Sequence, residues 1–199
     1  MSVLAIFMII RQGEEKEIRI DARIEQEEIK IQEQGSARVF IADNEKLALS
    51  VMLSSRGASA VIIGRFLGTQ DARQEIILRV IMSAPDTKCR IDFRAALADQ
   101  SASFFDGMIR VEEQAKNATG FLSYKALLLS SGARAKPIPR LEVLTKEVAS
   151  LGHAASVGKI DEDQLFYLQS RGIPREAAEN LIIEGFLSQS PYSIINGIR

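Results

Sequence analysis

Ile18-Arg19-Ile20-Asp21-Ala22-Arg23-Ile24 alternates apolar and charged side chains with a period of two, the mark of a strand with one dry face and one wet face. Ile29 and Ile31, then Val39 and Ile41, repeat the theme. Further β-rich runs cover Leu47 to Leu53, Ala60 to Leu67, Glu75 to Met82, Arg90 to Phe93, Gly107 to Val111, Lys125 to Leu129 and Arg140 to Leu144. Gly35, Gly57, Gly68, Pro85, Gly120 and Gly132 punctuate them, as turn chemistry requires. Short strands about ten residues apart predict a mainly β chain built as a sandwich, a barrel or a solenoid, which periodicity alone does not separate. The scarcity of Asn-Gly and Asp-Gly dipeptides leans away from tight hairpins and towards stacked coils. No fixed-length repeat settles the choice.

The pattern changes after Gly158. Asp161-Glu162-Asp163-Gln164 predicts a helix N-terminus, with the Asp161 carboxylate capping free amide donors. That helix should stop near Arg171, because Gly172 suits a left-handed C-terminal turn. Pro174 then opens a second helix with Ala177, Ala178, Leu181, Ile182, Gly185 and Phe186 on one face. The expected organisation is therefore a β body over residues 1–158 and a short helical appendage over residues 159–199.

Composition narrows the function. The 199 residues carry 25 basic and 26 acidic side chains, a net charge of −1, with a pI of about 6.0. No overall field or visible basic cluster invites nucleic acid. The longest apolar run, Val3 to Ile10, has eight residues, against roughly 20 for a membrane-spanning helix. It also lacks a positive lead and a small-residue cleavage site, so a cytoplasmic protein without a membrane segment is expected. One Cys and one His exclude an internal disulfide, a zinc finger and a four-cysteine cluster site within one subunit. Any metal-sulfur chemistry must be shared between chains.

Gly152-His153-Ala154-Ala155-Ser156-Val157-Gly158-Lys159-Ile160 superficially suggests a phosphate loop, but five residues separate the glycines where the motif has four. Ile160 also stands where a hydroxyl must meet magnesium, so hydrolysis of ATP by this chain is not expected. His153 lies among small residues in what reads as a loop entering the appendage, able to bind iron or simply to satisfy nearby backbone. Cys89 is flanked by Lys88 and Arg90, which would favour a thiolate if they reached the sulfur. Strand alternation turns both cations to the opposite face, which favours a buried structural thiol. The acidic clusters at Glu14, Glu15 and Glu17 and at Glu25, Glu27 and Glu28 are interleaved with cations and read as solvated faces. Glu112-Glu113 could serve a carbohydrate-cleaving groove, yet a chain with no Trp and three Tyr offers little stacking surface for sugars.

The C-terminal string Pro139-Arg140-Leu141-Glu142-Val143, followed by Gly152 to Lys159 and Asp161-Glu162-Asp163-Gln164-Leu165-Phe166-Tyr167-Leu168-Gln169-Ser170-Arg171-Gly172-Ile173, resembles the core of the SufB/SufD family of iron-sulfur cluster assembly proteins. Ala84-Pro85-Asp86-Thr87, Phe105-Asp106-Gly107-Met108-Ile109-Arg110-Val111 and Leu127-Leu128-Leu129-Ser130 are similar to that family in the same order. The resemblance spans roughly Ser83 to Leu187. It implies a right-handed parallel β-helix with a short C-terminal α-helical appendage, and a non-enzymatic scaffold role.

It further implies two β-helices paired as a homodimer or with a SufB/SufD-type paralogue, and a transient iron-sulfur cluster built at the interface. A SufC-like ABC ATPase would dock on the C-terminal helices, through Asp161, Leu165, Phe166, Tyr167, Arg171 and Phe186. His153 matches the histidine that SufD-type members place in this loop as an iron ligand. Ala154 replaces the glutamate that follows it in the SufB type. Cys89 is carried as a candidate sulfur acceptor. The chain is shorter than usual members and lacks their N-terminal helical region, which implies a minimal version of the scaffold. The competing reading is an interaction subunit of the same complex that never touches iron.

Overall fold

The computed structural model describes residues 5–10, 14–20, 26–31, 35–42 and 45–188; Asp21 to Ile24 of the opening stretch lie outside them. Strands β1 (Ala5–Ile10), β3 (Gln26–Ile31), β5 (Lys46–Leu53), β7 (Arg73–Met82), β9 (Ala102–Val111) and β11 (Arg134–Val143) form one sheet in that order. Strands β2 (Glu15–Ile20), β4 (Ser36–Ala42), β6 (Ser59–Gly68), β8 (Lys88–Leu97), β10 (Ala118–Leu128) and β12 (Val148–Lys159) form the other. Helices α1 (Glu162–Ser170) and α2 (Arg175–Ser188) follow.

Each paired strand is parallel to the strand two places away in sequence. The chain therefore passes from one sheet to the other and back at every coil, which makes a β-solenoid and leaves no hairpin among the described strands to demand Asn-Gly turns. The corners use left-handed residues instead. Gly57, Asp86 and Asn117 have positive φ at successive corners on one side, and Gln70 and Asp99 on the other. They stack: the Asn117 side-chain amide donates to Asp86 Oδ1 at 2.7 Å, and the Gln70 amide donates to Asp99 Oδ2 at 2.8 Å.

Register turns alternation into columns. Leu49, Leu78 and Gly107 stack in one sheet, as do Val51, Val80 and Ile109; Val39, Ile62, Ile91 and Leu122 stack in the other. Inward positions are buried and outward ones partly or fully exposed along β5, β7 and β9, so burial of stacked Ile, Leu and Val supplies the main driving force. Phe93, Phe105 and Tyr124 fill the centre, with ring centroids 4.9 Å apart for the first pair and 5.1 Å for the second. Gly64 pairs with Phe93 in register, and a Cβ there would lie 1.9 Å from the ring. That glycine is the space the phenylalanine occupies.

Both predicted helices form. Asp161 accepts from the amides of Asp163 and Gln164, and Gly172 takes a φ of +85° beyond the end of α1. No described helix is long and apolar enough to cross a membrane.

Candidate functional site

The stretch expected to be a loop, Gly152 to Gly158, is instead the body of β12, paired along its length with β10. Its Gly, Ala and Ser residues have weak strand propensity and no apolar alternation; the ladder to β10 holds it extended. The smallness has a local reason. Gly152 sits beside Phe121, whose ring would touch an added Cβ at 3.2 Å. That ring also lies 5.5 Å from the Arg90 guanidinium. An extended strand does not offer the amide nest with which a Gly-rich loop cradles a phosphate.

β12 closes one sheet and β11 closes the other. Register shows what this does to His153. It continues the inward column Ile91, Leu122, His153; Ala155 stands above Tyr124 and Val157 above Ala126. On β11, Leu141 stands above Ile109 and Val143 above Val111. These are core-phase positions with no described strand beyond them, so His153 and Ala155 are exposed, Val157 is 44% exposed and Val143 is 42% exposed. The imidazole thus lies on the uncapped, partly apolar end of the solenoid. The two edges differ: Pro137 and Pro139 remove two backbone donors from β11, whereas β12 contains no proline.

Cys89 lies elsewhere. It stands on β8, two strands in from the edge, in a column capped by Gly120 and then Leu151. It is 5% exposed, and burial pushes its thiol up to about 12, so the thiolate needed for sulfur acceptance is disfavoured. Lys88 and Arg90 face away from it, as alternation requires. The structure therefore does not bring Cys89 and His153 together. Among the described residues no group of three or more His, Cys, Asp or Glu could hold a metal ion.

The six residues expected to form a docking surface divide into two sets. Phe166 is 72% exposed and Tyr167 57% exposed, with the Arg171 guanidinium 5.2 Å from the Tyr167 ring centre. Asp161 is engaged in capping α1. Leu165 is fully buried, which removes it from that surface, and Phe186 is partly buried, packing under Arg94 of β8. The resemblance placed all six on or beside the helices, and the sequence could not tell which face turns to the body.

Position on the terminal coil was missed for Val143 and Val157. The available signal was the Pro137-x-Pro139 spacing, which marks an edge strand.

A family profile described as "SUF system FeS cluster assembly, SufBD core domain" matches residues 22–186. An iron-sulfur cluster assembly SufBD family protein of Mycobacterium tuberculosis is 32% identical over 154 residues, covering 74% of this chain and 39% of that protein. The iron-sulfur cluster assembly protein SufD of Bacillus subtilis is 42% identical over 92 residues, 46% of this chain and 21% of that protein. A SufBD family protein of Pyrococcus horikoshii is 44% identical over 94 residues, 47% of this chain and 20% of that protein. The chain thus spans about two fifths of the mycobacterial relative's length.

Proposed function

The chain belongs to the SufBD family of iron-sulfur cluster assembly proteins, and from that membership we propose that it serves as a scaffold subunit on which a cluster is built between two paired solenoids. The observation that carries this reading is the exposure of His153 on the core-side phase of the terminal strand, at an open end of the stack. A second solenoid, from another copy or a SufB/SufD-type paralogue, covers Val143 and Val157 and adds its edge strand to β12. Two-fold pairing brings two His153 side chains to one seam, where neutral imidazoles hold incoming iron. The cluster is the cargo, completed with donors from the partner and from sulfide.

A SufC-like ABC ATPase docks on Phe166, Tyr167 and Arg171, an aromatic and cationic cluster of the kind that anchors interfaces. Its closure on nucleotide shifts the population between closed and open seams. The reading places the complex in the cytoplasm and assigns no reaction to this chain itself. Anaerobic reconstitution with iron and sulfide, in the presence of the pairing partner, tests it. Cluster absorbance should form with the native chain and fall sharply with His153→Ala; an unchanged spectrum removes the ligand role.

One finding favours a second reading, that the chain only holds the complex together. Its lone thiol is buried and held protonated, so all sulfur ligands and sulfur transfer fall to the partner. Full complementation by a His153→Ala, Cys89→Ser double variant selects that reading.

A further inference from the structure

A groove of about 860 Å³ lies over the first residues of β5, β7, β9 and β11. Its cations come from three strands of that sheet, Lys46 from β5, Arg73 from β7, and Arg134 and Lys136 from β11. Arg73, Ala102 and Arg134 share one outward row, and Lys46, Glu75, Phe104 and Lys136 share the next. Ala102 has no reach, so Arg73 and Arg134 flank a gap two strand spacings wide, roughly 9.5 Å between backbones. Phe104 forms the floor beside it, with Lys136 Nζ 5.7 Å from the ring centre.

The pairing state of these cations sets the groove apart. Most arginines on the solenoid face a carboxylate: Arg56 with Asp86, Arg65 and Arg94 with Asp92, Arg79 and Arg140 with Asp106, and Arg110 with Glu112. In the groove, Arg73 and Lys46 have no ion pair among the described residues, and Arg134 bonds only the carbonyls of Ser131 and Ala133 through one nitrogen. Glu45 and Glu75 line the same groove without pairing to either, leaving a formal excess of positive charge around Ala102.

We propose that this groove binds a compact multivalent oxyanion of the phosphate class, bridged by the Arg73 and Arg134 guanidiniums over Ala102. Two planar forks on opposite sides of a small residue suit the oxygens of one phosphoryl group, because each guanidinium can present paired donors. Lys46 and Lys136 add field from the neighbouring row. Glu45 and Glu75 disfavour a long polyanion that would have to cross them, which selects a small ligand over nucleic acid.

The test is an amide chemical-shift titration of the full chain with inorganic pyrophosphate at constant ionic strength. Saturable shifts centred on residues 73, 102–104 and 134 are expected, weakened about tenfold or more by the Arg73→Gln, Arg134→Gln pair, in line with the loss of charge-assisted bonds. Arg56→Gln, which alters a paired arginine at a solenoid corner, should leave the titration unchanged. Adenosine monophosphate separates free phosphate from a nucleotide source: binding at the same residues that tightens further identifies a nucleotide using the Phe104 floor. Non-saturating shifts, or equal affinity in the double glutamine variant, overturn the proposal. So does a glutamate-rich peptide that binds these residues when pyrophosphate does not.

Discussion

Arg94 of β8 donates to the backbone carbonyl of Phe186 at 2.8 Å and lies 5.5 Å from the centre of that residue's ring. Arg65 of β6 donates to the next carbonyl, that of Leu187, at 2.6 Å. Asp92 holds both arginines, at 3.3 and 2.7 Å. The last turn of a helix leaves its carbonyls unbonded and carries partial negative charge, so the solenoid supplies the cationic cap that the sequence of α2 lacks.

Arg94→Ala removes one cap and the cover over Phe186. The expected cost is about 2 kcal/mol of docking, the range for hydrogen bonds to charged groups. Hydrogen exchange should speed up in α2 while β8 amides stay protected. Asp92→Ala should be worse, about 3 kcal/mol, because it leaves two cations side by side with little solvent; Asp92 and Arg94 are 6% and 8% exposed at the side chain. Equal exchange in α2 for both variants and the native chain would show that the caps do not hold the helix.

Gly64 and Phe93 are coupled by space. Gly64→Ala drives a methyl group into a ring 1.9 Å away, and overpacking of this kind costs about 1–3 kcal/mol. Phe93→Leu alone also destabilises by leaving a void. The double variant should recover part of the loss, and a denaturant-measured coupling near zero would contradict the contact.

These two relationships show what the sequence could and could not disclose. Alternation in Leu47 to Leu53 and Glu75 to Met82 marked strands because burial on one face repeats every second residue. The end caps of α1 were legible in Asp161 and Gly172, since each acts on its own neighbours. β12 was not, because Gly152 to Gly158 is extended by pairing with β10 rather than by its own propensity. The exposure of His153 followed from its place in the last coil, which is a property of stacking. The fates of Leu165 and Phe186 likewise depended on which face of the helices met the body.

Cys89 supplies a prediction about pH. Burial raises its pKa to about 12, above the roughly 8.5 of a free thiol. The folded state therefore holds a proton that the unfolded state loses, so this contribution is intact below about pH 8.5 and declines as pH rises towards 12. Cys89→Ser should flatten the alkaline fall in melting temperature. Native thiol labelling at neutral pH should be slow and limited by unfolding; rapid labelling of the folded chain would place the sulfur within reach of solvent.

Asp106 gives the opposite sign. Desolvation pushes its carboxyl up, but hydrogen bonds and charge from Arg79 and Arg140 together outweigh it and hold the group below its ordinary value. Its stabilising contribution is present above the unfolded carboxyl pKa, about 3.9, and is lost as pH falls through the lower folded value. Asp106→Asn should lower stability at neutral pH and narrow the gap from the native chain under acid, measured by urea unfolding at several pH values. A constant difference across that range would exclude the ion pairs as its source.

The open end of the solenoid carries the last prediction. Val157 stands above Ala126 in a core column, yet is 44% exposed, and burying it against a second solenoid would stabilise pairing, whereas a buried unpaired charge there would oppose it. Val157→Asp should therefore weaken self-association or association with a SufB/SufD-type partner by about tenfold or more, a penalty of at least 1.4 kcal/mol. Leu67→Asp is the matched control, because Leu67 is similarly exposed, at 48%, but lies on the outward face of β6. Sedimentation equilibrium reads both. Loss of pairing in the first variant alone supports a seam at the terminal coil, and loss in the second alone moves the seam to the outer sheet. A native chain that stays monomeric at every concentration and with every such partner removes the paired scaffold altogether.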